Sequence, residues 1–207
     1  MNVINLELGP LGTNCYIGVS KKNNAFMIDC PDEEEKIIKT LRDNNLNLLY
    51  IILTHGHFDH IGAVLTVAEE TGAKILIHMD DAEMLSDGRK SLYRTFKRKE
   101  QQIIEPDILL NAGDVITIDE LSLEVIHTPG HSKGSITIKC GDILFTGDTL
   151  FAGAIGRWDF YGSDYDSEIK SVKMLAALKG DYTVLPGHGP KTTLEHERKI
   201  NMYLGNI

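Results

Sequence analysis

The sequence predicts a layered α/β or α+β sandwich, in which two sheets are covered by helices. Strand-like runs alternate with helix-like runs along all 207 residues, and some neighbouring strands are joined by hairpin turns. Sheets and helices each bury one apolar face against another layer, so this mixture favours a layered arrangement. The length suits one domain, residues 1–207, and 42% hydrophobic residues are enough for a substantial core.

The first half of the chain alternates short strands with amphipathic helices. Residues 3–8 and 15–19 flank a Gly-Pro-Leu-Gly turn, which predicts a hairpin. Residues 49–53 are wholly apolar, as is typical of a buried strand. The other elements predicted here are a strand at 25–29, a helix from Pro31 to near Asn44, a helix at 61–71, a strand at 74–78 and a helical segment at 80–102.

The second half contains most of the remaining strands. The basic side chains of segment 80–102, which precedes them, are most simply a solvated face. The elements predicted after it are strands at 115–118, 121–127, 135–140 and 143–146, a helix at 167–178, a strand at 183–185 and a closing helix at 192–204. Turn residues between these runs support separate, short elements.

Charge and cysteine content exclude several classes of function. The formal charge of -9 argues against nucleic acid, RNA cleavage included, and against an anionic membrane as partner. Cys15, Cys30 and Cys140 form no disulfide framework or CxxC pair, which favours reduced, buried thiols in a cytoplasmic protein. The N-terminus lacks the pattern of a secretory signal, and no run approaches the ~20 apolar residues that span a bilayer.

The strongest chemical signal is a cluster of histidines and acids directly after the apolar strand. Residues 54–60 contain four side chains that can bind a metal, His55, His57, Asp59 and His60. Imidazoles suit divalent transition metals, and a carboxylate compensates their charge. His55 and His57 alternate in an extended turn, whereas Asp59 and His60 fall on the next bend. One ion does not need so many ligands from one short loop, so the spacing predicts two ions side by side.

Three later turns each place one more metal-competent side chain after a predicted strand. His131 lies in Thr-Pro-Gly-His-Ser, Asp148 in Thr-Gly-Asp-Thr and His188 in Pro-Gly-His-Gly. The neighbouring glycines permit tight turns and close approach to a shared centre. Loops that follow the strands of a rigid scaffold often present a site. Together with the first cluster, these turns predict one metal centre.

This pattern resembles the metallo-β-lactamase-fold hydrolases, and within them the glyoxalase II-type enzymes, which cleave hydroxyacylglutathione thioesters. The resemblance covers nearly the whole chain, including Asn14-Cys15-Tyr16, Asp29, the 55–60 motif, the three later turns and the Glu197…Asn201 ending. It implies a four-layer αββα sandwich, an α+β fold, with the metals at one edge between two sheets.

The resemblance also implies a ligand set for two divalent metal ions, zinc first, with iron or manganese as alternatives. One ion would be held by His55, His57 and His131, and the other by Asp59, His60 and His188. Asp148 would bridge them, and Asp59 and Asp148 would be the catalytic carboxylates. True β-lactamases commonly have a cysteine in the second site and lack the bridging aspartate, which argues against antibiotic cleavage.

Two further residues are candidates for the site. Asp29 matches an acid that orients the metal loop, although the Cys-Pro that follows departs from the usual glycine-containing turn. Arg157 lies shortly after the bridging aspartate and can bind a substrate carboxylate bidentately, with an ion pair to Asp159 as the structural alternative. The remaining histidines are expected to have packing or surface roles, namely His78, His127 and His196.

The implied chemistry is hydrolysis of a small-molecule thioester or ester by a metal-bridging hydroxide. Two cations that share a water lower its pKa from about 15.7 toward about 7, and a thiolate needs little help to leave. The alternatives are a mononuclear iron persulfide dioxygenase, a lactonase and a non-catalytic metal-binding domain. Glyoxalase II has a further helical region that contacts glutathione, and this sequence ends soon after His188, so glutathione specificity is not implied. Nothing in the sequence specifies the oligomeric state, the acyl group or the leaving thiol.

Overall fold

Two six-stranded sheets pack face to face in the structure, a computed structural model that describes residues 1–204. The first sheet contains, in spatial order, β1 (Asn2–Leu8), β2 (Thr13–Val19), β3 (Asn24–Ile28), β4 (Asn47–Ile52), β5 (Lys74–His78) and β6 (Ile108–Leu110). The second contains β14 (Thr192–Thr193), β13 (Thr183–Pro186), β10 (Ile143–Gly147), β9 (Ile136–Cys140), β8 (Leu121–His127) and β7 (Val115–Ile118). A small ribbon pairs β11 (Leu150–Phe151) with β12 (Ala154–Ile155).

Helices cover the outer surfaces of both sheets. Those of the first half are α1 (Glu34–Asp43), α2 (Phe58–Ile61), α3 (Val64–Thr71), a 3₁₀ helix (Met79–Leu85) and α4 (Tyr93–Lys97). Those of the second half are α5 (Tyr165–Ala176) and α6 (Leu194–Ile200). The prediction of an α+β fold with a four-layer αββα sandwich is confirmed. The single-domain prediction for 1–207 stays a prediction, and its residues 205–207 lie outside the described part.

Three apolar cores hold the four layers together. Between the sheets, Phe26 and Phe145 meet edge to face with ring centroids 5.8 Å apart. On the outer face of the first sheet, Ile37 of α1 and Val64 of α3 are fully buried. On the outer face of the second sheet, Val172 of α5 is fully buried as well. Both sheets are therefore covered on both faces, which explains the continuous apolar run of β4.

Strand direction brings the ends of several strands to one edge of the sandwich. Strands β3, β4, β5 and β6 run parallel in the first sheet, and β10 and β13 run parallel in the second. β8 has the same direction as β10, because both are antiparallel to β9. An isolated bridge between Thr13 and His188 joins the two halves of the chain at this edge. The loops after β4, β8, β10 and β13 can therefore meet there.

The predicted helical segment 80–102 is wrong over most of its length. The structure has only the 3₁₀ helix and α4 there, joined and followed by turns. Leu92 and Arg98 flank α4 with positive φ angles of 66° and 54°, which interrupt helical geometry on both sides. The segment also lacks an apolar stripe long enough to bury a longer helix, so charge and helix propensity alone do not sustain one.

The closing helix is shorter than the predicted 192–204. Residues 192 and 193 pair as strand β14, and the Thr193 hydroxyl accepts a hydrogen bond from the His196 N–H at the start of α6. At the other end, Asn201 leaves helical geometry and its side chain donates to the Ala154 carbonyl. The three-residue strand β6 was also not predicted, because so short a run gives no clear periodicity.

No helix among residues 1–204 combines the length and hydropathy needed to cross a bilayer. The longest of them, α5, has 12 residues, against the ~20 that a span requires. Cys15, Cys30 and Cys140 are free and buried, in agreement with the expected thiol state. Burial also raises the pKa of the Cys15 and Cys30 thiols, so both remain protonated at neutral pH.

Candidate metal centre

All seven predicted metal ligands lie at the common edge of the two sheets. The 55–60 motif follows β4 of the first sheet, where its first residues form a turn and Phe58 begins α2. His131, Asp148 and His188 follow β8, β10 and β13 of the second sheet. Because these strands end side by side, residues more than 130 positions apart in sequence can converge.

The side chains fall into overlapping groups, each compact enough to hold one metal ion. In each group, one donor atom per residue lies within 4.8 Å of the others. The groups are His55, His57 and His131; Asp59, His60 and His188; and His55, His60 and Asp148. The first two groups have the membership that the resemblance implied for the two ions. The third group combines one histidine from each of the first two groups with Asp148.

Asp148 occupies the middle of the centre. Its Oδ1 lies 3.4 Å from His60 Nε2, and its Oδ2 lies 3.6 Å from His131 Nε2 and 3.5 Å from His188 Nε2. Asp59 Oδ2 lies 3.2 Å from His188 Nε2 and accepts a hydrogen bond from the Thr13 hydroxyl at 3.3 Å. Asp148 thus contacts imidazoles of both groups, which is the position that a bridging carboxylate requires.

The histidines of the centre are held by their other ring nitrogens. Nδ1 of His60 lies 2.8 Å from the Asp29 carboxylate, and Nδ1 of His131 lies 2.8 Å from the Arg157 carbonyl. Nδ1 of His188 lies 3.2 Å from the Leu11 carbonyl, an oxygen that can only accept. These bonds place the proton on Nδ1 and leave the Nε2 lone pair free, as in metal-binding histidines generally.

The donor set fits divalent metal ions. His55 Nε2, His60 Nε2 and Asp148 Oδ1 are buried and have no hydrogen-bond partner among the described residues. His57 Nδ1 and His131 Nε2 face each other at 2.9 Å. Unpaired buried polar atoms are costly, and several directed at one point are accounted for by an ion. A mixture of imidazoles and carboxylates suits zinc, iron or manganese.

The protonation states of His55, His57, Asp59 and Asp148 suit metal binding, whereas His60 and His188, whose pKa values nearby carboxylates raise, would release a proton when an ion binds. Burial, reinforced by neighbouring imidazoles, holds the pKa of His55 well below its usual range and lowers the pKa of His57 to about 3. Burial opposes charge on His60 too, but the surrounding carboxylates, Asp148 foremost, raise its pKa. Burial opposes the charge of Asp59 and Asp148, but their pKa values are lowered because His60 and the other neighbouring histidines together outweigh it. Neutral imidazoles and ionised carboxylates are the forms that ligate a metal.

The family profile described as the metallo-beta-lactamase superfamily matches residues 8–188. The chain belongs to this superfamily. Hydroxyacylglutathione hydrolase GloC of Haemophilus influenzae is 32% identical over 210 residues, which cover 98% of this chain and 99% of that protein. The predicted resemblance to the superfamily, and to its hydroxyacylglutathione hydrolase-like members, is confirmed.

Two solved structures of superfamily members extend this likeness. A crystal structure described as BLEG-1 B3 metallo-beta-lactamase has a TM-score of 0.94 and 32% identity, covering 99% of this chain and all of that one. A structure of TTHA1623 in a di-iron-bound form has a TM-score of 0.85 and 34% identity, covering 98% and 100%. The names of similar members thus include a thioester hydrolase, a β-lactamase and an iron-bound protein.

Asp29 lies where the superfamily resemblance implied an orienting acid. Its carboxylate accepts hydrogen bonds from the Thr54 backbone N–H and hydroxyl, each at 2.8 Å, as well as from His60. Thr54 Oγ1 in turn lies 3.1 Å from Nδ1 of His55. One buried carboxylate therefore positions the turn after β4 and fixes the orientation of an imidazole in the second group.

A second buried acid, Asp81, braces the centre and was not predicted from the sequence. Its carboxylate accepts hydrogen bonds from the Gly56 N–H at 3.1 Å, the Ser132 hydroxyl at 2.6 Å and the Gly134 N–H at 2.7 Å. It therefore ties the turn of the first motif to the turn that contains His131. Asp81 belongs to no sequence motif. The only signal in the sequence was its position shortly after His78, the last residue of β5.

Glu168 of α5 was also missed. It is fully buried beneath the turn at Gly130, where an added Cβ would collide with it. Burial, with a smaller contribution from the charge of Asp148, raises the pKa of Glu168 to about 9. The carboxyl is therefore protonated at neutral pH and adds no charge behind the metal centre. Nothing in its local sequence distinguishes it from an exposed helix residue.

Gly187 permits the close approach of the last ligand turn. A Cβ there would overlap the Asp148 carboxylate and lie 2.8 Å from Cε1 of His60. The turn is fixed from the other side, because the Asn14 N–H donates to the Gly187 carbonyl at 2.7 Å and the Tyr16 hydroxyl donates to the Pro186 carbonyl at 2.9 Å. These contacts give the Asn14–Tyr16 part of the resemblance a structural role.

Arg157 forms the ion pair that was the structural alternative. Its guanidinium donates to both oxygens of Asp159, at 2.7 and 2.8 Å, and lies 3.9 Å from the Phe160 ring centroid. Both charged side chains are more than half exposed. The Arg157 backbone carbonyl, rather than its charge, contacts the centre through His131.

A cavity of about 440 Å³ opens onto the centre. Five of the seven candidate ligands line it, among them Asp59 and Asp148. Its other walls are mainly apolar, namely Leu11, Phe58, Leu92, Phe96, Phe151, Ile155 and Phe160. Phe58 and Phe96 stack with ring centroids 4.8 Å apart. Arg157 is the one basic side chain among the described lining residues, and Asp159 already neutralises it.

Proposed function

We propose that this protein is a dinuclear metal-dependent hydrolase that cleaves small-molecule thioesters. The observation that supports it most directly is the pair of three-residue groups that share Asp148. A structural zinc site normally uses four protein ligands and is closed. Here the centre has seven candidate donors, five of which line a cavity open to small molecules, and this favours catalysis over a purely structural site. The likeness to hydroxyacylglutathione hydrolase GloC supports the thioester as substrate class.

When bound, two divalent ions supply a water of lowered pKa and polarise a carbonyl oxygen. The residues of the chain fix where this happens. The two carboxylate oxygens of Asp148 lie 3.4–3.6 Å from imidazoles of both groups, and Asp148 so sets the separation of the two groups. Asp29 and the carbonyls of Arg157 and Leu11 hold three imidazoles in one tautomer. This arrangement needs no rearrangement when the substrate arrives.

Asp59 and Asp148 are also suited to proton transfer. Both line the cavity, and both have lowered pKa values, so they are ionised at neutral pH and can accept a proton. In the reaction, water adds to the thioester carbonyl, the carbon–sulfur bond breaks, and the proton from water ends on the released thiol. A thiol pKa of about 8.5 makes sulfur a good leaving group, so one carboxylate relay is sufficient.

The cavity indicates the chemical character of the acyl group. Leucine, isoleucine and phenylalanine side chains form most of its wall, and they exclude bulk water from a bound acyl chain. The charge of Arg157 is shared with Asp159, so the cavity offers little free positive charge for a carboxylate. We therefore propose an apolar acyl thioester as the preferred substrate, with the thiol carrier extending toward solvent.

We propose zinc as the metal, with iron as its rival. All three donors of the first group are imidazoles and the second group adds a carboxylate, a set that zinc accepts. The di-iron-bound form of TTHA1623 supports iron as the alternative. The buried, free cysteines support a reducing, cytoplasmic location.

A substrate panel tests the proposal on protein loaded with zinc or iron in separate preparations. S-lactoylglutathione, a longer acyl-glutathione thioester, a simple lactone and the β-lactam nitrocefin would be compared by kcat/KM. We expect the longer acyl thioester to exceed the lactone and nitrocefin by at least tenfold. Asp59→Ala should remove this activity, whereas the control Asp119→Asn, at a carboxylate that binds Ser20 and Asn24 rather than the centre, should retain it. Preferential nitrocefin hydrolysis would overturn the thioesterase assignment, and the β-lactamase name of a similar structure makes this a necessary arm.

A further inference from the structure

A second cluster of metal-competent side chains lies outside the seven-residue centre. His78 is the last residue of β5, Asp80 is two positions further in the 3₁₀ helix, and His127 is the last residue of β8. One donor atom from each lies within 4.8 Å of the others. Since β5 and β8 belong to different sheets, the cluster spans the junction between the two halves of the sandwich.

The hydrogen bonds of the two imidazoles leave the Nδ1 lone pair of His127 free and engage that of His78 only through one long bond. His127 Nε2 lies 2.8 Å from the Lys133 carbonyl oxygen, which can only accept, so Nε2 has the proton. His78 Nδ1 accepts a long hydrogen bond of 3.3 Å from the Asp80 N–H. A backbone carbonyl on the far ring nitrogen is the arrangement that fixes the tautomer of metal-binding histidines.

The two rings are stacked face to face, so their nitrogen atoms lie along neighbouring ring edges. Their centroids are 4.2 Å apart with an interplanar angle of 11°. The Asp80 carboxylate lies 3.8 Å from His78 Nδ1, beyond hydrogen-bond distance, and half of its side chain is exposed. His78 itself is only 4% exposed. One buried imidazole, one partly buried imidazole and a carboxylate at the rim leave a cation direct access from solvent.

The surrounding charge favours a cation. Asp80 and Asp114 both act on His78 as negative neighbours, whereas burial and His127 disfavour its protonation and lower its pKa. The local site therefore combines two carboxylates with a buried imidazole, His78, whose lowered pKa disfavours uptake of a proton. A divalent ion would compensate this charge and use the nitrogen lone pairs at the same time.

We propose that His78, Asp80 and His127 form an accessory site for a divalent transition metal such as zinc, separate from the seven-residue centre. Three protein ligands and one water complete a four-coordinate zinc site of the open type. The ion would link β5 to β8. His127 lies four residues before His131, and Asp80 is adjacent to Asp81, which binds Ser132 and Gly134. Occupancy would therefore stiffen the turn that presents a ligand of the main centre.

Metal stoichiometry tests this site on the purified full chain. Protein would be equilibrated with zinc over a range of free concentrations set by a chelator, and bound zinc counted by mass spectrometry. We expect the wild type to bind one more ion than Asp80→Asn and His127→Gln, whose remaining sites are unchanged. Asp80→Asn is nearly isosteric at a half-exposed position and should fold normally. His196→Gln, at an exposed position of α6, is the matched control and should bind as the wild type does.

Two further readouts distinguish a metal site from packing of the imidazole pair. The ring ¹⁵N resonances of His78 and His127 should shift on zinc addition, in the wild type and also in Asp59→Asn, where the main centre is impaired. The unfolding temperature of the wild type should rise with zinc in this concentration range, and Asp80→Asn should lose that part of the rise. Equal stoichiometry in the wild type, Asp80→Asn and His127→Gln, with unchanged ring resonances, would overturn the proposal.

Discussion

Asp29→Asn is expected to weaken metal binding while leaving the shape of the centre almost unchanged. The amide can keep one oxygen toward Thr54, which donates from its backbone N–H and its hydroxyl. The other position then presents an NH₂ group to Nδ1 of His60, where the carboxylate now accepts a bond of 2.8 Å. To avoid opposing protons, the His60 proton must move to Nε2, the nitrogen that faces Asp59 and Asp148.

The magnitude follows from the bonds that are lost. Removing the outer hydrogen-bond partner of a metal-binding histidine costs about 10- to 100-fold in metal affinity. Because every tenfold change is about 1.4 kcal/mol, the expected loss is about 1.4–2.8 kcal/mol per ion held by His60. Without metal, the lost charged hydrogen bond should lower the free energy of unfolding by about 1.5–3 kcal/mol.

Competition with a chromophoric zinc chelator measures the affinity, and urea unfolding of the metal-free protein measures the stability. Only one of the two sites should show the full loss if His60 belongs to the second group as assigned. Asp119→Asn is a suitable control, because that carboxylate binds Ser20 and Asn24 instead. Wild-type affinity at both sites in Asp29→Asn would refute the reasoning that this acid fixes the His60 tautomer.

Three further predictions concern acidity and the cavity wall. The pKa of Glu168 is about 9 in the folded protein, against 4.5 when unfolded, so stability is lost as pH rises through this window. Glu168→Gln should therefore stabilise the metal-free protein more at pH 8 than at pH 5, by about 4 kcal/mol in urea unfolding, and an equal change at both pH values would contradict this. The pKa of His57 is about 3, so below pH 6.5 this residue gains a proton in the unfolded state but not in the metal-free folded state. The free energy of unfolding should therefore fall from pH 6.5 toward pH 3, and less steeply in His57→Gln. Equal pH dependence in the wild type and the variant would contradict this prediction. Phe96→Ala removes the ring stacked on Phe58 and should raise KM about two- to tenfold for long acyl thioesters, with little change in kcat. An equal effect on short acyl thioesters would contradict a contact between Phe96 and the acyl chain.

The candidate site could be predicted from the sequence because its chemistry is concentrated in short segments. The 55–60 motif and the turns at His131, Asp148 and His188 each contain residue types that bind metals, next to strands that the hydrophobic pattern identifies. The resemblance supplied the division into two groups, and the structure brings the same residues together. Local patterns were sufficient because each ligand directly follows a strand.

Asp81 and Glu168 could not be predicted, because their roles depend on tertiary contacts. Asp81 binds turns that are about 25 and 50 residues away in sequence, and Glu168 is buried by a turn 38 residues earlier. The same holds for His78 and His127, expected to have packing or surface roles, which meet only because β5 and β8 end at neighbouring positions of the sandwich. Sequence periodicity predicts which face of a strand is buried, but not which loops face each other.

Segment 80–102 shows the limit of propensity in the fold itself. Its residues favour a helix individually, but no sustained apolar face packs there, and the chain forms short helical pieces separated by turns. Two of its side chains, Leu92 and Phe96, line the cavity instead. A segment that contributes to a substrate cavity is thus the part of the fold where the sequence pattern was least informative.

The most direct measurement of the central claim combines metal content with turnover in one preparation. Protein with Asp80→Asn, which removes the accessory cluster, would be purified without chelators and assayed by mass spectrometry and by hydrolysis of S-lactoylglutathione. The account predicts about two metal ions per chain and thioester cleavage, both reduced when Asp59→Ala is added, with one ion retained. One iron per chain and no thioester cleavage would contradict it and favour the mononuclear iron dioxygenase.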